Sequence, residues 1–280
     1  MRYYSTSEHA VGFLLGLIGD EDAARVRQRT GIAVGADGSP DLPSAADAAW
    51  RNANVPSSVL LWVLEEDSPL GNAVVWRHLP AGDGLRRAIA RGVPFGPGRT
   101  EPVPVDSLVR REGEPPAPAA YRQHGLVGAL RAATTMATGR AAASMVVTPA
   151  DWRTATEADR EAPLPGYARW ALSVRPDCPP ALRRQFGSHP KFTHRLRQAG
   201  VLAGPDRYAT EHGPARTVLA VLSAGRTLFP QRVREAEDAL RPLVREHLGG
   251  REDAWAVLAQ LVGTYYGTVP ELVATAGAIA

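Results

Sequence analysis

The residues able to do chemistry gather in one window. Residues 175–207 carry seven basic side chains against only Asp177 and Asp206. A helix over 190–199 would bury Phe192, Leu196 and Ala199, which recur at i, i+4 and i+7. Lys191, His194, Arg195 and Arg197 then fall on its other faces. Arg183 and Arg184 flank the apolar Leu182 and Phe186 on the helix before it. Six cationic or titratable side chains on two adjacent helices can form an anion-binding surface for a phosphate backbone or an acidic partner. They can equally be the solvated face of two ordinary helices, which is the commoner use of a charge run.

Other chemistry is thinner. His189 and His194 flank Lys191, but a metal needs further ligands converging on them, and only Asp177 and Cys178 are near in sequence. Surface or capping histidines are the simpler reading. The sequence has no GxSxG elbow, no HExxH pair and no Walker sequence around its lysine. Gly82-Asp83-Gly84 and Gly96-Pro97-Gly98 lack the strand and third glycine of a phosphate cradle, so they read as turns. Asp20-Glu21-Asp22 and Glu65-Glu66-Asp67 sit beside helix ends, where acids are solvated or favoured by the dipole. The residues therefore assign no catalytic, cofactor-binding or metal-ligating set. Among the six tryptophans, Trp62, Trp76 and Trp255 lie in apolar stripes and read as core. Trp152 and Trp170 border polar segments and read as candidate exposed platforms.

The composition is that of a folded chain with a real core. Of 280 residues, 44% are hydrophobic and 22% charged, with a formal charge of +3. This excludes a disordered chain, a collagen and a membrane bundle. One cysteine, Cys178, excludes an internal disulfide framework. Lys191 is the sole lysine, so 31 of the 32 basic residues are arginine. Such a skew follows from a GC-rich coding sequence, or from selection for guanidinium forks on phosphate and carboxylate. The small net charge favours the first reading for the chain as a whole. The excess is local, because residues 1–110 hold 11 arginines against 13 acids. The apolar run Val11–Ile18 is too short and too closely flanked by acids for a secretory leader. The expected location is cytoplasmic, with no membrane association.

The apolar periodicity is helical almost throughout. It predicts a first helix capped by Ser7, then helices over 20–29, 44–53, 57–66, 70–78 and 83–91. After these come helices over 119–138, 140–147, 150–161, 165–174, 180–187 and 190–199, and then over 214–224, 230–248, 252–263 and from Pro270 onward. Ser144–Thr148 is the one short strand candidate. Breakers mark a loop over 31–43. Seven prolines between Pro94 and Pro118 mark a linker or long loop. The domain reading is N-terminal repeats over 1–93, this segment at 94–118, and C-terminal repeats over 119–280, with one continuous domain also open. The alanine-rich stretch 129–146 has little bulk and should pack closely on a neighbour.

Two stretches share a grammar of polar turn, proline-opened short helix and apolar residues four apart. One runs Asn52-Ala53-Asn54-Val55-Pro56 to Val59, Leu60 and Leu64. The other runs Arg175-Pro176-Asp177-Cys178-Pro179-Pro180 to Leu182 and Phe186. Pro80 to Ile89 shares the Leu-Arg-Arg segment with Pro180 to Phe186. This resembles the leucine-rich-repeat-variant and HEAT-like helical repeat families. The resemblance implies an all-α, right-handed superhelical stack of short helix pairs, an α-solenoid. It carries most over 45–95 and 170–200. It implies a non-enzymatic scaffold or protein-binding module. The alternative is a nucleic-acid-binding HEAT-like protein using residues 175–207. HEAT-like DNA glycosylases combine a basic face, tryptophans and a catalytic carboxylate; by that analogy Asp177 is the carboxylate to test.

Overall fold

The computed structural model describes residues 6–31, 55–78, 81–186, 196 and 198–280. Every regular element among them is helical, and Ser144–Thr148 forms no strand. The first elements are α1 (Thr6–Leu15) and α2 (Asp20–Thr30). Next come α3 (Ser57–Leu64), α4 (Pro69–Arg77) and α5 (Gly82–Ala90). They are followed by α6 (Ser107–Glu112), α7 (Ala119–Arg131) and α8 (Met136–Ala143). Then come α9 (Pro149–Glu161), α10 (Gly166–Ser173) and α11 (Pro180–Phe186). The chain closes with α12 (Pro205–Glu211), α13 (Ala215–Leu228), α14 (Pro230–His247), α15 (Glu252–Leu261) and α16 (Val269–Ile279). The helices anticipated over 44–53 and 190–199 lie outside the described residues, apart from 196, 198 and 199.

Local chemistry explains most boundaries. Thr135, Thr148 and Thr268 open α8, α9 and α16 with reciprocal capping boxes to Thr138, Asp151 and Glu271. Pro69, Pro149, Pro205 and Pro230 each open a helix in its first turn, where a missing N–H costs nothing. Asp20-Glu21-Asp22 occupies the first turn of α2, where the positive dipole end favours acids. The single helix expected over 119–138 is instead broken. Gly125 is non-helical (φ 68°, ψ −172°), and the chain turns after Arg131 before Thr135 restarts it. A mirror-image conformation of this kind needs glycine. Two short helices, α6 and α12, escape the periodicity because neither carries the apolar pair four apart that marks the equally short α11 at Leu182 and Phe186.

The chain forms two compact units, Met1–Val55 with Leu202–Ala280, and Pro56–Val201. The proline-rich 94–118 lies within the second unit and is packed there. Val109 is fully buried, Trp76 Nε1 donates to Glu112 (2.6 Å), and Arg87 reaches Glu114 (2.8 Å). Asp67 fixes the start of this loop by accepting from the Phe95 (2.8 Å) and Gly96 (3.1 Å) amides.

In the first unit, α1 packs on α13, α2 on α15, and α14 on α12 and α16. Phe13, Leu14, Leu219, Leu222, Leu240, Trp255 and Leu272 are among its fully buried residues. Arg226, on α13, joins three elements of this unit. Its guanidinium lies 4.6 Å over the Phe13 ring, donates to the Phe13 carbonyl at 3.2 Å and to Glu237 at 2.8 Å. A Cβ at Gly16 would come within 2.5 Å of this guanidinium, so glycine leaves the space it occupies. Arg226→Ala removes the carbonyl partner of α1 and leaves the mostly buried Glu237 unpaired. It should cost about 2–4 kcal/mol in urea unfolding of the full chain. Arg226→Lys should recover less than half, because an ammonium does not fork to both acceptors.

Candidate functional site

The second unit brings the sequence-selected residues into view around α8–α11. Its core here combines Ala129, Ala133, Ala142, Ala143, Ala155 and Ala168 with Trp152, Trp170, Leu172 and Phe186. Small side chains allow close approach, as the alanine-rich sequence anticipated. At Gly139 of α8, a Cβ would stand 2.6 Å from the Tyr167 carbonyl oxygen of α10.

Arg175 is the centre of this region. Its Nη1 donates to the Ala143 and Val146 carbonyls, both at 2.5 Å, closing the C-terminal end of α8. Nε and Nη2 fork onto Asp177 at 2.9 and 2.5 Å. The guanidinium also lies 4.9 Å over the Trp152 ring, and a Cβ at Gly84 of α5 would come within 2.8 Å of it. Arg175 and Asp177 are both nearly buried, with side chains 11% and 9% exposed. Asp177 is therefore held as the counter-ion of a structural arginine, not presented as a free carboxylate.

Arg183 has a similar duty. It donates to the Ser173, Arg175 and Pro176 carbonyls at 3.1, 2.7 and 3.2 Å, capping α10 where the helix dipole favours a cation. Arg184 is exposed. Lys191, His194, Arg195 and Arg197 lie outside the described residues, as does His189. The structure thus describes two of the six proposed anion ligands, and one of these is bonded to backbone.

Trp152 and Trp170 do not form exposed platforms. Each is 7% exposed and lies beneath an arginine guanidinium. Arg140 lies 5.0 Å over Trp170, as Arg175 does over Trp152. Trp62, Trp76 and Trp255 are core residues as read from their stripes.

A second buried carboxylate, Asp159, accepts from Arg169 (2.7 and 3.2 Å), Gln185 (2.8 Å) and the Leu164 amide (2.9 Å). Burial pushes its pKa upward, but these bonds together hold it below the usual carboxylate range. A depressed carboxylate stabilises the fold above its unfolded pKa, and that contribution is lost as pH falls through the folded value. Burial pushes the Cys178 thiol up to about 12. Among the described residues no three His, Cys, Asp or Glu side chains gather as a metal site. No helix among them is long and apolar enough to cross a membrane.

The surface over α8 and α10 has a different character. Met136 and Tyr167 are 48% and 42% exposed, on either side of the close contact at Gly139. Sequence reasoning missed this pair. Met136 and Arg140 are four apart and Tyr167 and Trp170 three apart, but nothing in the sequence says that the two helices meet.

Comparison with known proteins gives no relative: no family model, curated protein or solved structure matches the chain.

Arg175→Ala should destabilise the second unit by about 3–5 kcal/mol, since it strands Asp177 and frees two carbonyls. The double variant Arg175→Ala with Asp177→Ala should cost less than the sum of the two single changes, read by chemical denaturation. Cys178 should resist a thiol reagent at pH 8 in the folded protein and react fully in denaturant, because only the thiolate attacks.

Proposed function

We propose that the protein is a non-enzymatic helical binding module that holds a protein partner. The observation that carries this reading is the exposed Met136–Tyr167 pair on tightly packed α8 and α10. Methionine and tyrosine are enriched in protein interfaces, and an apolar pair on rigid helices presents them with little ordering cost. Asp177, Arg183 and Asp159 each make internal bonds that hold neighbouring segments of the fold together.

The α-solenoid reading belongs to the second unit. There the packing runs between chain neighbours, α3 with α4, α4 with α5, α7 with α8 and α10 with α11, and between helices one element apart, α8 with α10 and α7 with α9. That order supports a HEAT-like stack of short pairs, whose extended surface suits a scaffold. In the first unit α1 packs on α13, a partner far along the chain, so the solenoid reading does not extend to it. Cytoplasmic residence is part of this reading, consistent with a single buried thiol.

Affinity purification of the tagged full chain from its native cell, with and without nuclease, tests the proposal. A captured protein should survive nuclease treatment and fall about tenfold or more with Met136→Ser and Tyr167→Ser together. Capture that disappears with nuclease and depends on Arg184, Lys191 and Arg195 would establish nucleic-acid binding instead.

A further inference from the structure

Met136 and Arg140 share one face of α8, four residues apart, and Tyr167 and Trp170 share one face of α10, three apart. The two faces adjoin. Gly139 meets the Tyr167 backbone, and the Arg140 guanidinium lies 5.0 Å from the Trp170 ring centroid. The cation is exposed and rests on the indole, so its plane is oriented without being neutralised. No carboxylate pairs with Arg140 among the described residues. Asp159, the carboxylate bonded to α10, is held by Arg169. The result is an oriented, unneutralised guanidinium bordered by two exposed apolar side chains. Arginine, tryptophan, tyrosine and methionine are the residue types that anchor protein interfaces.

We infer that this face of α8 and α10 docks an acidic peptide segment. A carboxylate of the partner forks onto Arg140, and an adjoining aliphatic or aromatic side chain covers Met136 and Tyr167. The charge selects the partner's sign: a basic segment would bring its cations against Arg140, whereas an acidic one supplies the carboxylate that Arg140 lacks among the described residues. The inference rests on the protein-binding reading and adds the chemistry of the partner.

Selection of a random dodecapeptide phage library on the immobilised full chain tests it. Enriched clones should pair Asp or Glu with a neighbouring Leu, Phe or Trp. The peptide from the dominant clone, labelled for fluorescence anisotropy, should weaken about tenfold or more on Arg140→Gln. It should also weaken as salt is raised. Arg140→Glu should shift the enriched clones toward Lys and Arg. Thermal unfolding of these variants should stay within a few degrees of the parent, since Arg140 is exposed and they lose only its contact with the Trp170 ring. Neutral or basic clones that depend on Tyr167 would overturn the acidic partner while leaving protein binding standing. The absence of any clone sensitive to Tyr167→Ser would overturn both. Binding of a labelled duplex DNA through Arg140, in place of acidic peptides, would also overturn the inference.

Discussion

Short helices end in carbonyls that nothing within the helix satisfies, and this chain closes many of them with arginine. The last four carbonyls of any helix lack an intrahelical donor. In helices of two or three turns those groups are a large share of the backbone. Arg226 closes α1, Arg86 closes α4, Arg175 closes α8, Arg131 closes α9 and Arg183 closes α10. Each guanidinium comes from outside the helix it closes, so a cap is also a tertiary tie. Two of them also donate to a carboxylate: Arg226 to Glu237 and Arg175 to Asp177. A planar fork with five donors can serve carbonyl and carboxylate together, which a lysine ammonium does less well.

This use of arginine changes what the basic composition says about function. A guanidinium bonded to carbonyl oxygens is not available to phosphate, so a count of cations overstates the anion-binding surface. Arg183 is the clear instance: its place in a basic window suggested a ligand, and its bonds make it a cap for α10. The tryptophans follow the same logic. Arg140 covers Trp170 at the surface, whereas the nearly buried Arg175 stacks on Trp152 inside the unit. Arg140 differs in having no acceptor among the described residues, which leaves it an oriented cation at a surface edged by Met136 and Tyr167.

Helical content was legible because the apolar spacing repeats at three and four and the breakers are strong. Most of the described helices fall within a few residues of where Pro, Gly and Thr place their ends. The failures have local causes. Gly125 and the turn after Arg131 split a stretch whose alanines read as one continuous helix. α6 and α12 lack the apolar pair four apart by which the equally short α11 registers. The proline-rich 94–118 read as a linker or a long loop, and only packing shows what it binds: Asp67, Arg87 and Trp76 tie it to α4, α5 and their connections. Each of those contacts joins residues more than twenty apart.

By itself the sequence determined the class of element and the chemistry in stock: helices bounded by proline and glycine, one thiol, one lysine and 31 arginines. Those properties depend on residue type and short-range spacing, which a linear chain displays in full. Tertiary structure alone decided what each charged group does. The same guanidinium is a phosphate ligand, a helix cap or a roof over an indole, according to which acceptor packing brings within about 3 Å. Arg140 and Arg183 are alike in the sequence; their neighbours in space make one a surface cation and the other a structural cap.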